Sequence, residues 1–214
     1  MSNMSKLTTE YLVNNLYLVL VNTKYRPGFH DSNEYITRRP SWDYNFGGGE
    51  VLEVLTARDN SGVEYITPEI LAETRIISPE AAWTKAEQNT KNAVTVMDVL
   101  DLLLGSNEPL QFAGMIRHLR AGCFLSLTNR DGNFGASGIA VSRNLLEELA
   151  TAIEDDIILI PSSIHEVLVV PASKMEGRED EIPDIIGEVN ANPKNIRGKD
   201  ILGDKPYYIR LEDI

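Results

Sequence analysis

Four side chains that could take part in a hydrolytic reaction occur together in the last third of the chain. They are Ser162, Ser163, His165 and Glu166, within five consecutive positions. A serine hydrolase needs a nucleophile, a base within hydrogen-bond reach and an acid that orients the base. In an extended chain, however, Ser163 and His165 project on one face and Glu166 on the other. No Gly-x-Ser-x-Gly turn is present to expose a serine, so catalysis is the weaker interpretation.

The segments on either side favour a structural role for these residues. The runs Ile157–Ile160 and Val167–Val170 are apolar and predict two buried strands. In a loop between such strands, serine hydroxyls satisfy backbone groups and an imidazole donates to a carbonyl. We therefore predict that the segment Ser162–Glu166, called the polar loop below, is architectural. Ligand binding is the second interpretation and catalysis the third.

The metal-binding motifs in the sequence are incomplete. His165 and Glu166 would begin a His-Glu-x-x-His motif, but Val169 stands where its second histidine belongs. His118 and Cys123 are isolated in sequence, and only tertiary contacts could bring them to His165. We predict no metal site and no cofactor.

A second candidate surface combines cations with aromatic rings. Arg38 and Arg39 precede Trp42 and Tyr44, in an irregular stretch rich in Pro, Gly and Asn. Such a set can stack on bases or bind a peptide, although local ion pairs and packing are the favoured explanation in so acidic a chain. The predicted binding residues are these four together with His165.

The charge balance argues against nucleic acid as a partner. The formal net charge is −12, whereas nucleic-acid binding draws on basic groups set against phosphates. The acidic residues are spread along the chain, which indicates a solvated surface that favours solubility. An acidic decoy from a mobile element, which mimics nucleic acid, is a further alternative.

Length and composition are typical of one globular domain. The 214 residues suffice for one good core, and 43% of them are apolar. No apolar run approaches the roughly 18 residues of a transmembrane helix, and the N-terminus lacks a signal-peptide pattern. Cys123 is the single cysteine, so no internal disulfide can form. These observations predict a cytoplasmic protein that does not enter a membrane.

Patterning predicts an α+β fold in which antiparallel β-hairpins are backed by helices. A strand–turn–strand–helix unit occurs at Glu50–Asn89, again at Cys123–Ile153 and again at Ile157–Val189. We expect residues 50–214 to form one domain, with the N-terminal helix and irregular segment, residues 1–49, packed on it.

Several individual elements follow from local periodicity. Apolar spacing predicts a helix over Thr8–Val21, with a strand at Leu16–Val21 as the competing interpretation. Thr95–Leu104 is apolar on most sides and predicts a buried helix. We also expect a short helix at Pro109–Ala121 and a strand at Gly135–Val141.

Four short segments carry a resemblance to a known family. They are Ala86–Thr90, Asn133–Ser137, Ile160–Val167 and Glu188–Asn190, in this order. The chain resembles an uncharacterised bacterial domain-of-unknown-function family, mostly from anaerobic Gram-positive bacteria, over roughly Val51 to Tyr208. The most specific part is the block Pro-Ser-Ser-Ile-His-Glu within the third segment. The resemblance implies no activity, cofactor or catalytic residue.

These observations favour a non-catalytic protein-interaction or regulatory module whose partner is another protein. The alternative from a different class is a small hydrolase-like enzyme, with Ser163 as nucleophile and His165 as base. The nucleic-acid-mimicking decoy comes third.

Overall fold

The structure, a computed structural model, describes residues 9–29, 34–42, 44–47, 50–59, 62–73, 78–105, 109, 111–112, 115–116 and 124–214. Its strands are β1 (Leu16–Asn22), β2 (Thr37–Arg38), β3 (Val51–Asp59), β4 (Gly62–Tyr65), β5 (Val94–Asp98), β6 (Gln111–Phe112), β7 (Met115–Ile116), β8 (Leu125–Asn129), β9 (Ile157–Ser163), β10 (Glu166–Pro171) and β11 (Tyr207–Ile209). Its α-helices are α1 (Thr9–Asn14), α2 (Pro68–Glu73), α3 (Pro79–Ala93), α4 (Val99–Leu103), α5 (Gly138–Val141), α6 (Arg143–Ile153) and α7 (Ile182–Ala191).

The strands form two antiparallel sheets, which confirms the α+β prediction. The first sheet has the order β1-β3-β2, with β4 also paired to β3. The second has the order β11-β9-β10-β8-β5-β6-β7. Every pairing in both sheets is antiparallel.

Alternation along β1 and β3 sends side chains to two different environments. On one face, Leu16, Leu18 and Leu55 pack with Ala82 and Ala86 of α3. That helix begins after Ser78, whose side chain accepts a hydrogen bond from the backbone N–H of Ala81, with proline at the first helical position. The other face of the sheet forms a separate apolar cluster with aromatic rings, consisting of Val19, Val21, Phe29, Leu52 and Val54, with Tyr35, Tyr65 and Phe134 packed against it.

Helices cover both faces of the second sheet. The predicted apolar face of α6 is buried against one face of it, through Leu145, Leu146, Leu149 and Ala150. On the other face, Ile182 and Ile186 of α7 pack with Ile158 and Val170. Tyr44 and Phe46 lie in the same cluster as α6, so the irregular N-terminal segment contributes to this core.

The second predicted strand–turn–strand–helix unit is wrong at its second strand. Residues Gly135–Ser137 form a 3-10 turn that leads directly into α5. An ideal Cβ on Gly138 would lie 2.7 Å from Leu127 Cδ2. The small side chains of the Gly-Ala-Ser-Gly run therefore allow the chain to lie closely on β8, where a strand of larger residues could not.

Three helix predictions are also corrected. The helix predicted over Thr8–Val21 ends at Asn14, and the competing strand is the one that forms. The segment predicted as a buried helix, Thr95–Leu104, divides into the buried strand β5 and the short helix α4. In that helix Leu103 is 77% exposed. Within Pro109–Ala121, the described residues form strands β6 and β7. Short apolar runs have no periodicity that separates a buried strand from a helix.

Candidate functional site

A cleft of about 1160 Å³ opens between parts of the two sheets. One wall is the face of the first sheet that carries Tyr17 and Arg58. The opposite wall consists of the polar loop and the turn 131–134, and the segment 195–200 borders both. Ser162, Ser163, His165 and Glu166 all line this cleft, although the sequence did not show what they would face.

The His165 ring is held in one orientation by backbone contacts. Its Nδ1 accepts a hydrogen bond from the Phe134 N–H at 3.1 Å, and the two rings lie 5.1 Å apart. Since Nδ1 is an acceptor, the proton of the neutral ring resides on Nε2. Burial lowers the pKa of His165 below its ordinary value, which favours this neutral form. The ring thus presents an Nε2–H donor, and it is partly exposed.

The two serines are engaged with groups other than the imidazole. Ser163 Oγ accepts from the backbone N–H of His165 at 3.0 Å. Ser162 Oγ donates to Glu166 Oε1 at 3.4 Å, and Glu166 Oε2 accepts from Ser126 Oγ at 2.7 Å. Among the described residues, no hydrogen bond joins the His165 ring to either serine. The arrangement brings the candidate groups together without the nucleophile–base contact of a hydrolase.

One peptide unit connects His165 to Arg58. Arg58 Nη1 donates to the carbonyl oxygen of Asn133 at 2.9 Å, and the next N–H, that of Phe134, is the donor to His165. Phe134 adopts a left-handed backbone conformation with φ +58°, which is uncommon for a residue with a side chain. The turn thereby places the Arg58 guanidinium and the His165 ring at opposite edges of the same peptide unit, the first as a donor and the second as an acceptor.

Arg58 is a half-buried cation with incomplete partners. Its guanidinium lies over the Tyr17 ring, 3.9 Å from the centroid. Within the described part of the chain, no carboxylate is within ion-pair distance of it, and its buried Nε has no hydrogen-bond partner. Burial accordingly lowers the pKa of Arg58. A buried charge without a counterion is costly, and an anion in the cleft would supply a counterion to the part of the guanidinium that lines it.

The cleft is more basic than the rest of the protein. Its lining contains four basic side chains, Arg26, Arg58, Arg197 and Lys199, against three carboxylates, Asp131, Glu166 and Asp200. Arg26 is paired with Asp200 at 3.3 Å and donates to the Tyr65 hydroxyl. Arg197 and Lys199 have no carboxylate partner in the portion of the chain that is described. An excess of one positive charge, in a chain of net charge −12, favours an anionic ligand here.

The other predicted binding residues lie away from the cleft. Arg38 pairs with the buried Glu53 at 2.7 Å and also with Glu87, and its guanidinium lies 4.3 Å from the Trp83 ring centroid. Arg39 is exposed and pairs with Glu50 at 2.5 Å. Both arginines therefore form local ion pairs.

Two aromatic residues of this set pack inward. Trp42 Nε1 donates to the Ile139 carbonyl at 3.0 Å, and Tyr44 is only 4% exposed. Burial raises the pKa of Tyr44 well above its ordinary value. Since Tyr44 belongs to the core, a partner at the surface does not reach its ring.

Sequence reasoning missed Arg58, Tyr17 and Asp200. A usable signal existed for Arg58, because an arginine interrupts the largely apolar strand β3 on its inward face. Tyr17 and Asp200 carry no local signal. His118 and Cys123 lie outside the described residues. Among the residues that are described, no group of three His, Cys, Asp or Glu side chains could hold a metal ion. None of the described helices has the length and apolarity to cross a membrane.

Comparison with known proteins identifies a family over most of the chain. Residues 53–210 match the model of a family of unknown function (DUF5688). The matched region includes the polar loop, the turn 131–134 and Arg58. The comparisons with curated proteins and with solved structures gave no match.

Proposed function

The chain belongs to the DUF5688 family, and we propose that it is a non-catalytic regulatory module whose cleft binds an anionic ligand. The proposal depends above all on Arg58, a largely buried guanidinium that faces the cleft without a carboxylate partner among the described residues. A half-buried guanidinium usually has a carboxylate or another anion beside it, and a ligand in the cleft would supply that anion.

The surroundings of Arg58 support a role in binding. Stacking on Tyr17 fixes the guanidinium plane and its bond to Asn133 fixes the direction. A preorganised cation loses little entropy when it binds an anion. Arg197 and Lys199 are exposed at the opposite border of the cleft, where they add positive potential and attract the ligand over a longer range.

The hydrolase alternative has one observation in its favour, which is that Ser162, Ser163, His165 and Glu166 share the cleft. Two features count against it. The Nε2 atom of the neutral ring carries a proton and Nδ1 already accepts one hydrogen bond, so neither nitrogen is free to act as a base. The Ser163 hydroxyl oxygen is also occupied as an acceptor by the backbone.

Thermal unfolding in sodium tripolyphosphate tests the anion site. At matched ionic strength, we expect tripolyphosphate to raise the Tm of the wild-type protein above its value in sodium chloride, because a ligand that binds only the folded state stabilises it. Arg58→Gln should abolish this additional rise. Arg178→Gln is the matched control, since Arg178 is exposed, lies outside the cleft and, among the described residues, pairs with Glu181 alone.

A double variant, Arg197→Gln with Lys199→Gln, changes only exposed side chains. It therefore tests the anion site even if Arg58→Gln does not fold. We expect it to weaken the tripolyphosphate effect while it leaves the Tm in chloride unchanged. An equal Tm rise in the Arg58 variant and the Arg178 control, or no rise in the wild type, would contradict the proposal.

A further inference from the structure

A second feature of the cleft indicates which chemical groups the ligand carries besides the anion. His165 Nε2 lies 3.9 Å from Asp200 Oδ2. This distance is too long for a hydrogen bond, although one atom is a donor and the other an acceptor. Both groups line the cleft, so the gap between them is open to a ligand.

Neighbouring contacts hold both sides of this gap in place. The Phe134 N–H fixes the imidazole through Nδ1. The Asp200 carboxylate is held by Arg26 at 3.3 Å, and its backbone carbonyl accepts from the Ile164 N–H at 2.9 Å. These contacts restrain the imidazole and the Asp200 carboxylate on either side of the gap.

A hydroxyl group matches this pair. An oxygen about 2.8 Å from each of two atoms 3.9 Å apart subtends an angle of about 90°, within the range that a hydroxyl accepts. It would accept from Nε2–H and donate to Oδ2, which only a group with both capacities can do. A carboxylate or phosphate oxygen would instead face the negative charge of Asp200.

The anion site and the hydroxyl site are close enough for one small ligand. They lie on either side of the Asn133–Phe134 peptide. The contacts across that peptide place Arg58 Nη1 within about 8 Å of His165 Nδ1, and hence within about 10 Å of Nε2, the ring nitrogen nearer to Asp200. This is about the length of a pentose or hexose phosphate.

The remaining lining agrees with a hydroxylated ligand. The side chains of Asn15, Asn195 and Ser163 add donors and acceptors, and Tyr65 and Phe134 add aromatic surface. Polar groups of both signs together with aromatic rings suit a sugar better than a bare polyanion, which would require a mainly basic surface.

We infer that the ligand is a sugar phosphate, whose phosphate binds Arg58 and one of whose hydroxyls bridges His165 and Asp200. The inference rests on the proposed function, since it assigns the anion to the same cation. It adds the requirement for a hydroxyl at a fixed distance from that anion.

Calorimetric titration with glucose 6-phosphate, inorganic phosphate and glucose tests the inference. For the wild-type protein we expect glucose 6-phosphate to bind about tenfold more tightly than inorganic phosphate, as two added hydrogen bonds allow. His165→Phe keeps the aromatic contact with Phe134 and removes the donor. It should bring the ratio of the two affinities to about one while phosphate still binds. Arg58→Gln should weaken both ligands, and Arg178→Gln should weaken neither.

A measurement on the wild type alone tests the hydroxyl contact even if His165→Phe disturbs the fold. Glucose 6-phosphate should shift the NMR resonance of His165 Nε2–H, whereas inorganic phosphate should leave it nearly unchanged. Equal affinity for the two phosphates, with no shift at Nε2–H, would overturn the sugar phosphate and leave the anion site standing. Binding of neither phosphate, with no effect of tripolyphosphate on the Tm, would overturn the proposed function as well.

Discussion

Gly135 provides the sharpest test of the packing beneath the site. An ideal Cβ on this residue would lie 2.5 Å from the backbone nitrogen of Asn129 and 2.6 Å from the carbonyl carbon of Thr128. Both atoms belong to β8, a strand paired on both sides, so they cannot rotate away as a side chain would. Overpacking of a buried site costs about 1–3 kcal/mol. We expect Gly135→Ala to lower the free energy of unfolding by about 3 kcal/mol, the upper end of this range, since backbone atoms must move to admit the Cβ.

Two further glycines make this prediction a graded series. A Cβ on Gly138 would contact only side-chain atoms, Leu127 Cδ2 at 2.7 Å and Val94 Cγ2 at 3.0 Å, so Gly138→Ala should lose about 1 kcal/mol. Gly187 is exposed in α7 with no atom within 4 Å. There, alanine should increase the free energy of unfolding by about 0.5–1 kcal/mol, because glycine is a poor helix former.

Urea denaturation of the three variants, followed by tryptophan fluorescence, measures the series. Gly135 also donates its N–H to the His165 carbonyl at 2.9 Å, so its alanine variant should disturb the NMR signals of the imidazole, whereas the Gly187 variant should not. If Gly135→Ala is as stable as the wild type, the turn Gly135–Ser137 does not pack on β8 as closely as described. The geometry proposed for His165 would then lose its support.

Three further predictions concern stability. Burial lowers the pKa of His165 in the folded state, so the neutral ring contributes to the free energy of unfolding fully above about pH 6.5. This contribution is lost as the pH falls below that value through the folded pKa. The urea midpoint should therefore fall more steeply between pH 8 and pH 5 in the wild type than in His165→Gln. Arg38→Met leaves the buried Glu53 without its guanidinium and should cost about 3 kcal/mol at pH 8. The cost should be smaller at pH 5, because burial already raises the pKa of Glu53 and protonation then relieves the unpaired charge in the folded state. Thr90→Val removes the acceptor of the buried Leu18 N–H and should cost about 1–3 kcal/mol in urea unfolding.

Each of these three has an outcome that would contradict it. A pH dependence that is the same in wild type and His165→Gln would show that the imidazole is not buried as described. A loss in Arg38→Met that does not change with pH would remove Glu53 as its cause. For Thr90, the control is Thr84→Val on an exposed part of the same helix, where we expect a change within about 0.5 kcal/mol.

Helices and strands whose ends are marked by a cap or a turn were predictable from the sequence. The hairpin β3–β4, the helix α3 with its Ser78 cap and the strands β9 and β10 lie where local signals indicated. The two strands are longer than predicted, because β9 includes Ser162 and Ser163 and β10 begins at Glu166. Each has a turn, a cap or a clear period, and these act over a few residues. A turn also forms after β8, where the Asn129 side-chain oxygen accepts from the backbone of Asp131 and Asn133, although it leads into a 3-10 turn and not into a second strand.

Continuous apolar runs were the main source of error. In the run Val94–Leu104, the first half is a buried strand because β8 lies beside it, and the second half is a helix with exposed leucines. Asp98 marks the boundary, because its side chain accepts from the Leu100 N–H and caps α4. That the residues before it form a strand depends on β8, about 30 residues later in the chain. The strand predicted at Gly135–Val141 failed for the same reason, as the close approach to β8 decides its path.

The sequence alone determined the family, the α+β class and the choice of the polar loop as a candidate site, because these depend on residue types and short spacings. Only the tertiary structure decided what the loop faces. Arg58, His165 and Asp200 come from three distant parts of the chain. One peptide unit links Arg58 to His165, and an ion pair with Arg26 holds Asp200 at 3.9 Å from His165 Nε2. Such contacts arise when the two sheets pack, and packing is a property of the whole core that no single segment encodes.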